Sequence, residues 1–294
     1  MKQENKPLVS IVCTSYNHEK YIKKCLDGFV MQQTNFLFEI IVHDDASTDS
    51  TQQIVKEYES RYPSLFNNIY QTENQFSNKE VNIWYDILFP MAKGDYIAIC
   101  EGDDYWVNPF KLQKQIDFLE ANPSYLFSMG RVDMLNEKNG EITRMTEHVD
   151  PHKNETFALK DYIKGPFSQT SSFVFRNSDK SFPNWVYNVH AGDQSLVVIK
   201  TGIAGKIKYH PDLFSIYRVN ETSISFNLDL KKLKDRGDYF LKKINEFTEF
   251  KFNYIIQIRI LINKFYYYSR SNSLIKRYLS LVVYRLLFNL VQKI

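Results

Sequence analysis

The stretch Ile97-Ala98-Ile99-Cys100-Glu101-Gly102-Asp103-Asp104-Tyr105-Trp106 joins an apolar run to three acids and two aromatic residues. Residues 96–100 predict a buried strand, so the carboxylates follow at the point where that strand leaves the sheet. Carboxylates this close together repel one another unless a cation or hydrogen-bond donors compensate them. Oxygen ligands of this kind suit Mg²⁺ or Mn²⁺. The alternative is a solvated acidic turn, which the flanking strand and the aromatic pair disfavour.

Strands and helices alternate outward from this stretch, which predicts an α/β fold with a mostly parallel sheet flanked by helices. In the first part of the chain we predict strands at 8–13, 38–43, 67–70 and 96–100, and helices at 19–32, 50–62, 80–92 and 110–121. From residue 125 we predict strands at 125–134, 142–146, 172–176 and 205–209, an extended piece at 213–219, and helices at 161–164 and 190–201. From about residue 228 the pattern is helical to the end.

Composition allows one large domain or one domain with an appendage, because the 294 residues are 44% hydrophobic. The three cysteines, Cys13, Cys25 and Cys100, have no metal-ligand spacing, which predicts buried thiols in a reducing compartment. The first ten residues lack the apolar core of a signal peptide. We therefore expect a cytoplasmic protein.

Three predicted strand ends carry polar clusters, and all three are expected to open on one edge of the sheet. These clusters are Thr14-Ser15-Tyr16-Asn17, Asp44-Asp45-Ala46-Ser47 and Glu101-Gly102-Asp103-Asp104. In open α/β sheets, ligands bind beyond the carboxyl ends of the strands. A nucleotide needs a wall for its base, an acid for its ribose and a metal for its diphosphate, and the clusters offer all three. A Rossmann oxidoreductase is excluded, because no glycine-rich turn follows the first strand.

The ordered blocks PLVSIVCTSYN, EIIVHDDASTDST and GDYIAICEGDDYWVNPFKLQKQIDFLE resemble the inverting family 2 glycosyltransferases with a GT-A fold. The resemblance covers residues 7–220 and implies a GT-A catalytic domain at 1–227. Its nucleotide-binding part would be 1–122 and its acceptor-binding part 123–227, followed by a basic amphipathic helical tail at 228–294.

By this resemblance, the donor-binding residues are Thr14, Tyr16, Asn17, Asp45, Lys79, Asp103 and Arg218. The metal, Mn²⁺ or Mg²⁺, would be held by Asp104 and Asp103, with Glu101 and His210 as further candidate ligands. Glu101 replaces the usual first Asp of the family's DxD motif. For Lys79 an exposed lysine is an equal alternative, and for His210 and Arg218 a structural role is the alternative.

Asp193 opens an otherwise apolar predicted helix. A helix-capping Asp is the structural alternative. By resemblance it matches the catalytic base, which takes a proton from the acceptor hydroxyl as that oxygen attacks the anomeric carbon. Thr170 and Ser171 match a region that lines the acceptor side, although a plain polar entry to a strand explains them as well.

The resemblance implies inverting transfer of a sugar, most often from a UDP-sugar, to a glycan or lipid-linked acceptor in bacterial surface polysaccharide synthesis. No nucleic-acid partner is expected, and an oligomer is possible. The alternative is a non-catalytic nucleotide-sugar-binding or assembly subunit. The presence of both the Asp103–Asp104 pair and Asp193 favours catalysis, because a binding subunit needs only the pair.

The tail at 251–294 contains eight basic residues and no acidic residue, and leaves the rest of the chain with a net charge of −5. It is also rich in aromatic and aliphatic residues, but no apolar stretch is long enough to span a bilayer. One interpretation is a set of amphipathic helices on an anionic membrane, peripheral on its inner face. The other is helices packed on the catalytic domain or on another subunit.

Overall fold

The computed structural model describes residues 6–78, 80–144, 156–165, 168–178, 182–189, 192–220, 229–269 and 274–293. A ten-stranded mixed sheet forms its centre. The strands are β1 (Val9–Ser15), β2 (Phe38–Asp44), β3 (Ile69–Tyr70), β4 (Tyr96–Ile99), β5 (Tyr105–Trp106), β6 (Tyr125–Asn136), β7 (Glu141–Arg144), β8 (Thr156–Ala158), β9 (Val174–Arg176) and β10 (Lys206–Val219). Their spatial order is β3-β2-β1-β4-β9-β6-β10-β5, with β7 beside β6 and β8 beside β10.

The helices lie between and after these strands. They are α1 (Ile22–Val30), α2 (Thr51–Arg61), α3 (Phe89–Met91), α4 (Lys111–Ala121), α5 (Leu159–Lys164), α6 (Gly192–Thr201), α7 (Leu230–Phe247), α8 (Asn253–Ser269) and α9 (Leu274–Lys293). A π-helical segment, Ile83–Leu88, continues directly into α3. Short 3₁₀ turns occur at Thr170–Ser172 and Asn184–Asn188.

Alternate residues of the central strands face two separate cores, because successive side chains of a strand point to opposite faces. Val9 and Ile11 of β1 and Ala98 of β4 pack with α1, α2 and α4. Val12 of β1 and Ile99 of β4 pack instead with α3, α5 and α6. Helices therefore cover both faces of the sheet, as the fully apolar strands predict. The cysteines Cys13, Cys25 and Cys100 are buried thiols, as expected.

The sheet is parallel at β3, β2, β1 and β4, and β6 and β10 are also parallel. Strand β9 runs antiparallel between β4 and β6, so the second part of the sheet is more mixed than expected. The two pieces predicted at 205–209 and 213–219 form one strand, β10, with irregularities between His210 and Ser215. Strands β5 and β8, of two and three residues, were not predicted.

The C-terminal helices pack against the α/β part of the chain. Residues of α7 and α8 share a third apolar core with Leu159, Ile163 and Val198 of α5 and α6, and Val291 of α9 joins it. The structure thus contains the helical packing that was one of the two interpretations of the tail. Among the described helices, none combines the length and apolar character needed to cross a membrane.

Candidate active site

The three polar strand ends meet at one edge of the sheet, as expected. The Gly102 N–H donates to the Thr14 carbonyl oxygen at 2.8 Å, which ties the loop after β4 to the end of β1. On the other side of β1, the Asp45 N–H donates to the Ser15 carbonyl oxygen at 2.9 Å. Since β1 lies between β2 and β4, the loops after these three strands adjoin at one edge of the sheet, with the acidic loop on one side.

The loop after β1 is locked to the loop after β2. Asn17 has a φ of 54°, a left-handed conformation that asparagine tolerates. Its Oδ1 accepts from the Thr48 N–H at 2.8 Å, and its own N–H donates to Ser47 Oγ at 2.9 Å. The Asn17 side chain therefore organises the two loops, while the adjacent Tyr16 is 45% exposed and offers a ring at the edge of the cleft.

Asp45 is 3% exposed and holds the segment that follows β3. Its Oδ1 accepts from the Gln75 N–H at 2.7 Å and its Oδ2 from the Phe76 N–H at 3.0 Å. Each carboxylate oxygen can accept a further donor, so these bonds leave capacity for a ligand. Asp45 is thus a positioned acceptor at the edge predicted for the nucleotide.

Asp104 is 2% exposed at the start of the turn into β5, and Asp103 beside it is half-buried. Burial, the Asp103 carboxylate and the Glu101 carboxylate raise the pKa of Asp104 well above its ordinary value. The Arg218 main chain and guanidinium act in the opposite direction. The loop therefore concentrates negative charge that the protein compensates only in part.

Arg218, near the end of β10, braces this acidic loop. Its N–H donates to Asp104 Oδ1 at 2.9 Å, and its Nη1 donates to the Asp103 carbonyl oxygen at 2.7 Å. The guanidinium lies 4.5 Å from the centre of the Tyr105 ring, and its Nε is 2.9 Å from Glu137 Oε1. Arg218 is 5% exposed. In the structure it therefore links the acidic loop to Glu137, at the other end of its guanidinium group.

His18 is a member of the site that sequence reasoning missed. It lies near Asp103, Asp49 and Asp44, whose charges raise its pKa, but burial has the larger effect and lowers it. Its Nδ1 is buried and has no hydrogen-bond partner. A Cβ at Gly102 would lie 2.8 Å from this Nδ1. The loop therefore needs glycine at position 102, because a larger residue would collide with the His18 ring. The sequence signal for His18 was its position directly after the first strand-end cluster.

The aromatic pair that follows the acids anchors the loop from beneath. Trp106 Nε1 donates to the Ser171 carbonyl oxygen at 2.6 Å, and its ring packs edge-on against Phe29 at 4.8 Å. Lys111 Nζ lies 4.1 Å from the centre of the Trp106 ring, and burial lowers the pKa of this lysine to about 7. The packing of Trp106 therefore fixes the position of the loop that carries Asp103 and Asp104.

Ser171, expected on the acceptor side, is fully buried, and its hydroxyl pairs with Ser215 Oγ at 2.9 Å. Thr170 is 7% exposed. The structure gives Ser171 a packing role beneath the acidic loop, and its burial leaves no surface for an acceptor. The hydroxyl groups of Ser171 and Ser215 hydrogen-bond to each other. Polar residues in this stretch of the sequence therefore do not indicate exposure at the surface.

His210, expected among the metal ligands, lies elsewhere on β10. Its ring packs against Phe214 at 5.4 Å and Phe118 at 6.0 Å. His210 pairs with Gly130 of β6, whereas Arg218 pairs with Leu135, and five residues of extended strand span about 16 Å. The structure therefore does not bring His210 to Asp104.

Two predicted site residues fall on parts that the structure does not describe. Lys79 lies outside the described residues, and so does the side chain of Asp193. The backbone places Asp193 as the second residue of α6, in its first turn. Two residues later, Ser195 Oγ and the Tyr85 hydroxyl lie 2.8 Å apart, which fixes the start of α6 against the π-helical segment.

The acidic loop fits a divalent cation in its chemistry. Asp103 and Asp104 supply hard oxygen donors, and the buried charge on Asp104 is undercompensated. Within the described part of the chain, no three His, Cys, Asp or Glu side chains are grouped as a complete ligand set. The cation would therefore be held by these two aspartates together with oxygens of a ligand, an arrangement that Mg²⁺ favours at phosphates.

Sequence comparisons identify relatives of this chain. Residues 10–182 match the model of the family described as Glycosyl transferase family 2. An uncharacterized protein of Mycobacterium tuberculosis is 36% identical over 213 residues, which are 71% of this chain and 58% of that protein. The putative teichuronic acid biosynthesis glycosyltransferase TuaG of Bacillus subtilis is 34% identical over 160 residues, which are 54% of this chain and 60% of TuaG. The chain spans less than two thirds of the length of these curated relatives.

Solved structures share the fold at low sequence identity. TarS 1–349 of S. aureus in complex with UDP-GlcNAc has a TM-score of 0.64 and 17% identity, covering 92% of this chain and 77% of that chain. The mannosyltransferase PcManGT from Pyrobaculum calidifontis, in complex with GDP-Man and Mn²⁺, has a TM-score of 0.60 and 16% identity, covering 96% and 80%. The expected fold class is therefore confirmed.

Proposed function

The chain belongs to glycosyl transferase family 2, and on that premise we propose that it transfers a sugar from a nucleoside diphosphate donor to a hydroxyl group of a glycan or lipid-linked acceptor. The transfer inverts the anomeric carbon and depends on a divalent metal. The observation that carries the proposal is the buried Asp104 beside Asp103, at the same sheet edge as Asp45.

Asp103 and Asp104 hold Mn²⁺ or Mg²⁺ in this proposal, and Glu101 adds negative charge nearby. When bound, the cation neutralises charge that grows on the leaving nucleoside diphosphate. Asp45 accepts a hydrogen bond from the base or ribose, and Thr14, Tyr16 and Asn17 form the adjoining wall. Lys79 contacts the base or a phosphate.

Arg218 orients the metal-binding loop through its bonds to Asp103 and Asp104. Its guanidinium also lies within 5.1 Å of the Tyr21 ring centre. An arginine held between two rings and a carboxylate presents a fixed positive charge, which also favours a diphosphate nearby. We assign Arg218 to the donor side for both reasons.

Asp193 is the general base on the acceptor side. As the acceptor oxygen attacks, Asp193 takes its proton, the new glycosidic bond forms and the bond to the nucleoside diphosphate breaks. One base and a single in-line displacement invert the anomeric carbon, and no covalent glycosyl intermediate is needed. Thr170, which is 7% exposed, is the remaining acceptor-side candidate in this proposal.

We propose that the donor is a UDP-sugar. The transfer would be a step of bacterial surface polysaccharide synthesis. The likeness to TuaG in sequence supports the pathway. The folds of TarS with UDP-GlcNAc and PcManGT with GDP-Man and Mn²⁺ support a nucleotide sugar and a divalent metal.

We also propose that the protein is peripheral on the cytoplasmic face of the membrane. Val282, Leu286 and Leu290 of α9 are 41%, 65% and 44% exposed, and their spacing places them on one helix face. With the eight basic residues of the tail, this face suits an anionic lipid surface. The full-length chain should co-sediment with anionic vesicles, and Leu286→Glu should weaken that binding; equal sedimentation of both would reject the membrane role.

A donor assay tests the central proposal. The full-length chain should release nucleoside diphosphate from one member of a panel of UDP-, GDP- and dTDP-sugars when Mn²⁺ is present, and EDTA should stop the release. Donor binding without any release, with or without glycan acceptors, would favour the alternative of a non-catalytic nucleotide-sugar-binding subunit.

A further inference from the structure

A cavity of about 260 Å³ lies where the C-terminal helices meet the α/β part of the chain. Its walls come from α5, the start of α6, α7 and α8. The polar and aromatic side chains lining it include Tyr162, Gln194, Lys234, Arg259, Asn263 and Tyr266. None of its lining residues belongs to the loops after β1, β2 and β4, so it is separate from the metal-binding loop.

Arg259 of α8 is the unexplained charge in this cavity. Its Nε is buried and has no hydrogen-bond partner. Within the part of the chain that the structure describes, Arg259 forms no ion pair. Burial lowers the pKa of its guanidinium, and Tyr284 acts weakly in the opposite direction. Because an arginine stays protonated in proteins, a positive charge lies here without a counter-charge among the side chains that the structure describes.

The acids of the neighbouring helix are engaged with other partners. Lys234 Nζ lies 2.8 Å from Asp238 Oδ2 and 3.3 Å from Asp235 Oδ1. Asn263 Nδ2 donates to Asp238 Oδ1 at 3.2 Å. Beyond Glu249 the sequence contains no acidic residue that could neutralise Arg259. Arg259 is half-buried, and a partly desolvated charge that lacks a partner among the described residues is unfavourable, so an anion from outside the chain would stabilise this site.

We infer that this cavity binds a phosphate group of the acceptor, with Arg259 as its principal ligand. Arginine presents a planar fork of donors that matches phosphate oxygens. The apolar walls, which include Leu241 and Phe240, suit the organic part of a phosphate ester better than a free inorganic ion. A lipid phosphate and a polyol phosphate share this chemistry.

The inference rests on the proposed function and names its acceptor class. Gln194 lines the cavity and directly follows Asp193, the proposed base. Consecutive Cα atoms lie about 3.8 Å apart, so a phosphate in the cavity lies near the residue that takes the acceptor proton. The cavity would then hold a charged part of the acceptor while one of its hydroxyls meets the donor sugar.

Calorimetric titration of the full-length chain tests the inference. The probes are farnesyl phosphate, farnesol and glycerol 3-phosphate. Arg259→Gln should weaken phosphate-ester binding by about 10- to 100-fold, the range for a hydrogen bond to a charged group. Arg259→Lys should retain part of the affinity, and Arg285→Gln, an exposed arginine of the same tail, should retain all of it.

Preference for farnesyl phosphate over glycerol 3-phosphate would identify a lipid acceptor, and the reverse a polyol phosphate. Equal binding by the wild type and Arg259→Gln, or equal binding of farnesol and farnesyl phosphate, would overturn the inference. Thermal unfolding verifies that each variant is folded. Donor hydrolysis with Mn²⁺ is measured in parallel: its absence in the wild type would reject the proposed function alone, and its persistence in Arg259→Gln separates the cavity from the donor site.

Discussion

The main-chain N–H of Arg218 donates to Oδ1 of Asp104 at 2.9 Å, across 114 positions of sequence. This bond joins the last strand of the sheet to the acidic loop that follows β4. It supplies one of the few donors that compensate a buried carboxylate. Geometry at the loop therefore depends on β10 as well as on β4.

Arg218→Lys should raise the donor KM or the metal concentration needed for half activity by about tenfold. Lysine keeps the charge but cannot both reach the Asp103 carbonyl oxygen and stack on Tyr105 as the guanidinium does. Loss of one hydrogen bond to a charged group corresponds to a change of about tenfold in an equilibrium constant. Steady-state kinetics with varied Mn²⁺ measure it. Arg131→Lys, at an ion pair with Asp133 on β6, is the matched control and should change neither constant.

Asp104→Asn should stabilise the metal-free protein and abolish stabilisation by Mn²⁺ with nucleoside diphosphate. The pKa of Asp104 is raised in the folded state, so its contribution to stability falls as the pH rises above its ordinary value of 3.8. Asparagine removes that penalty and keeps the acceptor for Arg218. Melting at pH 7 should rise by about 2–4 °C for each kcal/mol gained. Asp117→Asn, at an exposed position of α4, should behave as the wild type; a Mn²⁺ shift that persists in Asp104→Asn would contradict the metal assignment.

Asp193→Asn should lower turnover by about 10²–10⁴-fold, the usual contribution of a positioned base. Donor binding should not change, because the proposed donor site lies in the loops after β1, β2 and β4. Single-turnover transfer measures the first effect, and nucleotide titration measures the second. Asp117→Asn, the same change at an exposed position of α4, serves as the control. Turnover near the wild-type value would remove Asp193 from the mechanism.

Lys111→Met should stabilise the protein at pH 7 by about 1–4 kcal/mol, the range for replacing buried charges with apolar side chains. Burial lowers the pKa of Lys111 from 10.5 to about 7, so between these values the unfolded chain binds a proton that the folded chain does not. Wild-type stability should therefore rise with pH above about 7, by up to about 1.4 kcal/mol per pH unit. Denaturant unfolding at pH 7, 8 and 9 measures this slope.

The slope should be absent in Lys111→Met and present in Lys114→Met, since Lys114 is exposed on the same helix and pairs with Asp212. The buried thiols are the same in all three proteins, so their titration cancels in the comparison. Parallel pH profiles for the wild type and Lys111→Met would show that Lys111 stays charged, held by the ring of Trp106.

The first half of the fold was predictable from sequence because local pattern determines it. Fully apolar strands such as Val9–Ser15 and helical spacing such as that of Ile22–Val30 are detectable without tertiary information. The clustering of acids at the end of β4 was predictable for the same reason. Asp193 and Lys79 stay predictions, since the structure does not describe their side chains.

Long-range pairing was not predictable. Nothing local to Arg218 indicates that β10 lies beside β5, and the hydroxyl of Ser171 gives no sign that Ser215 will cover it. His210 was chosen by residue type, although its surroundings are aromatic. A strand at 205–209 and an extended piece at 213–219 were predicted separately, but the sheet accommodates the residues between them as an irregularity within β10.

The distance in sequence between Asp104 and Arg218 also orders events during synthesis. A chain grows from its N-terminus at about 5–20 residues per second, so β10 leaves the ribosome on the order of ten seconds after the acidic loop. Throughout that interval the nascent chain lacks the hydrogen bonds from Arg218 that hold Asp103 and Asp104 in place. Nucleotide sugars in the cell would therefore meet a competent pocket only after translation has passed residue 218.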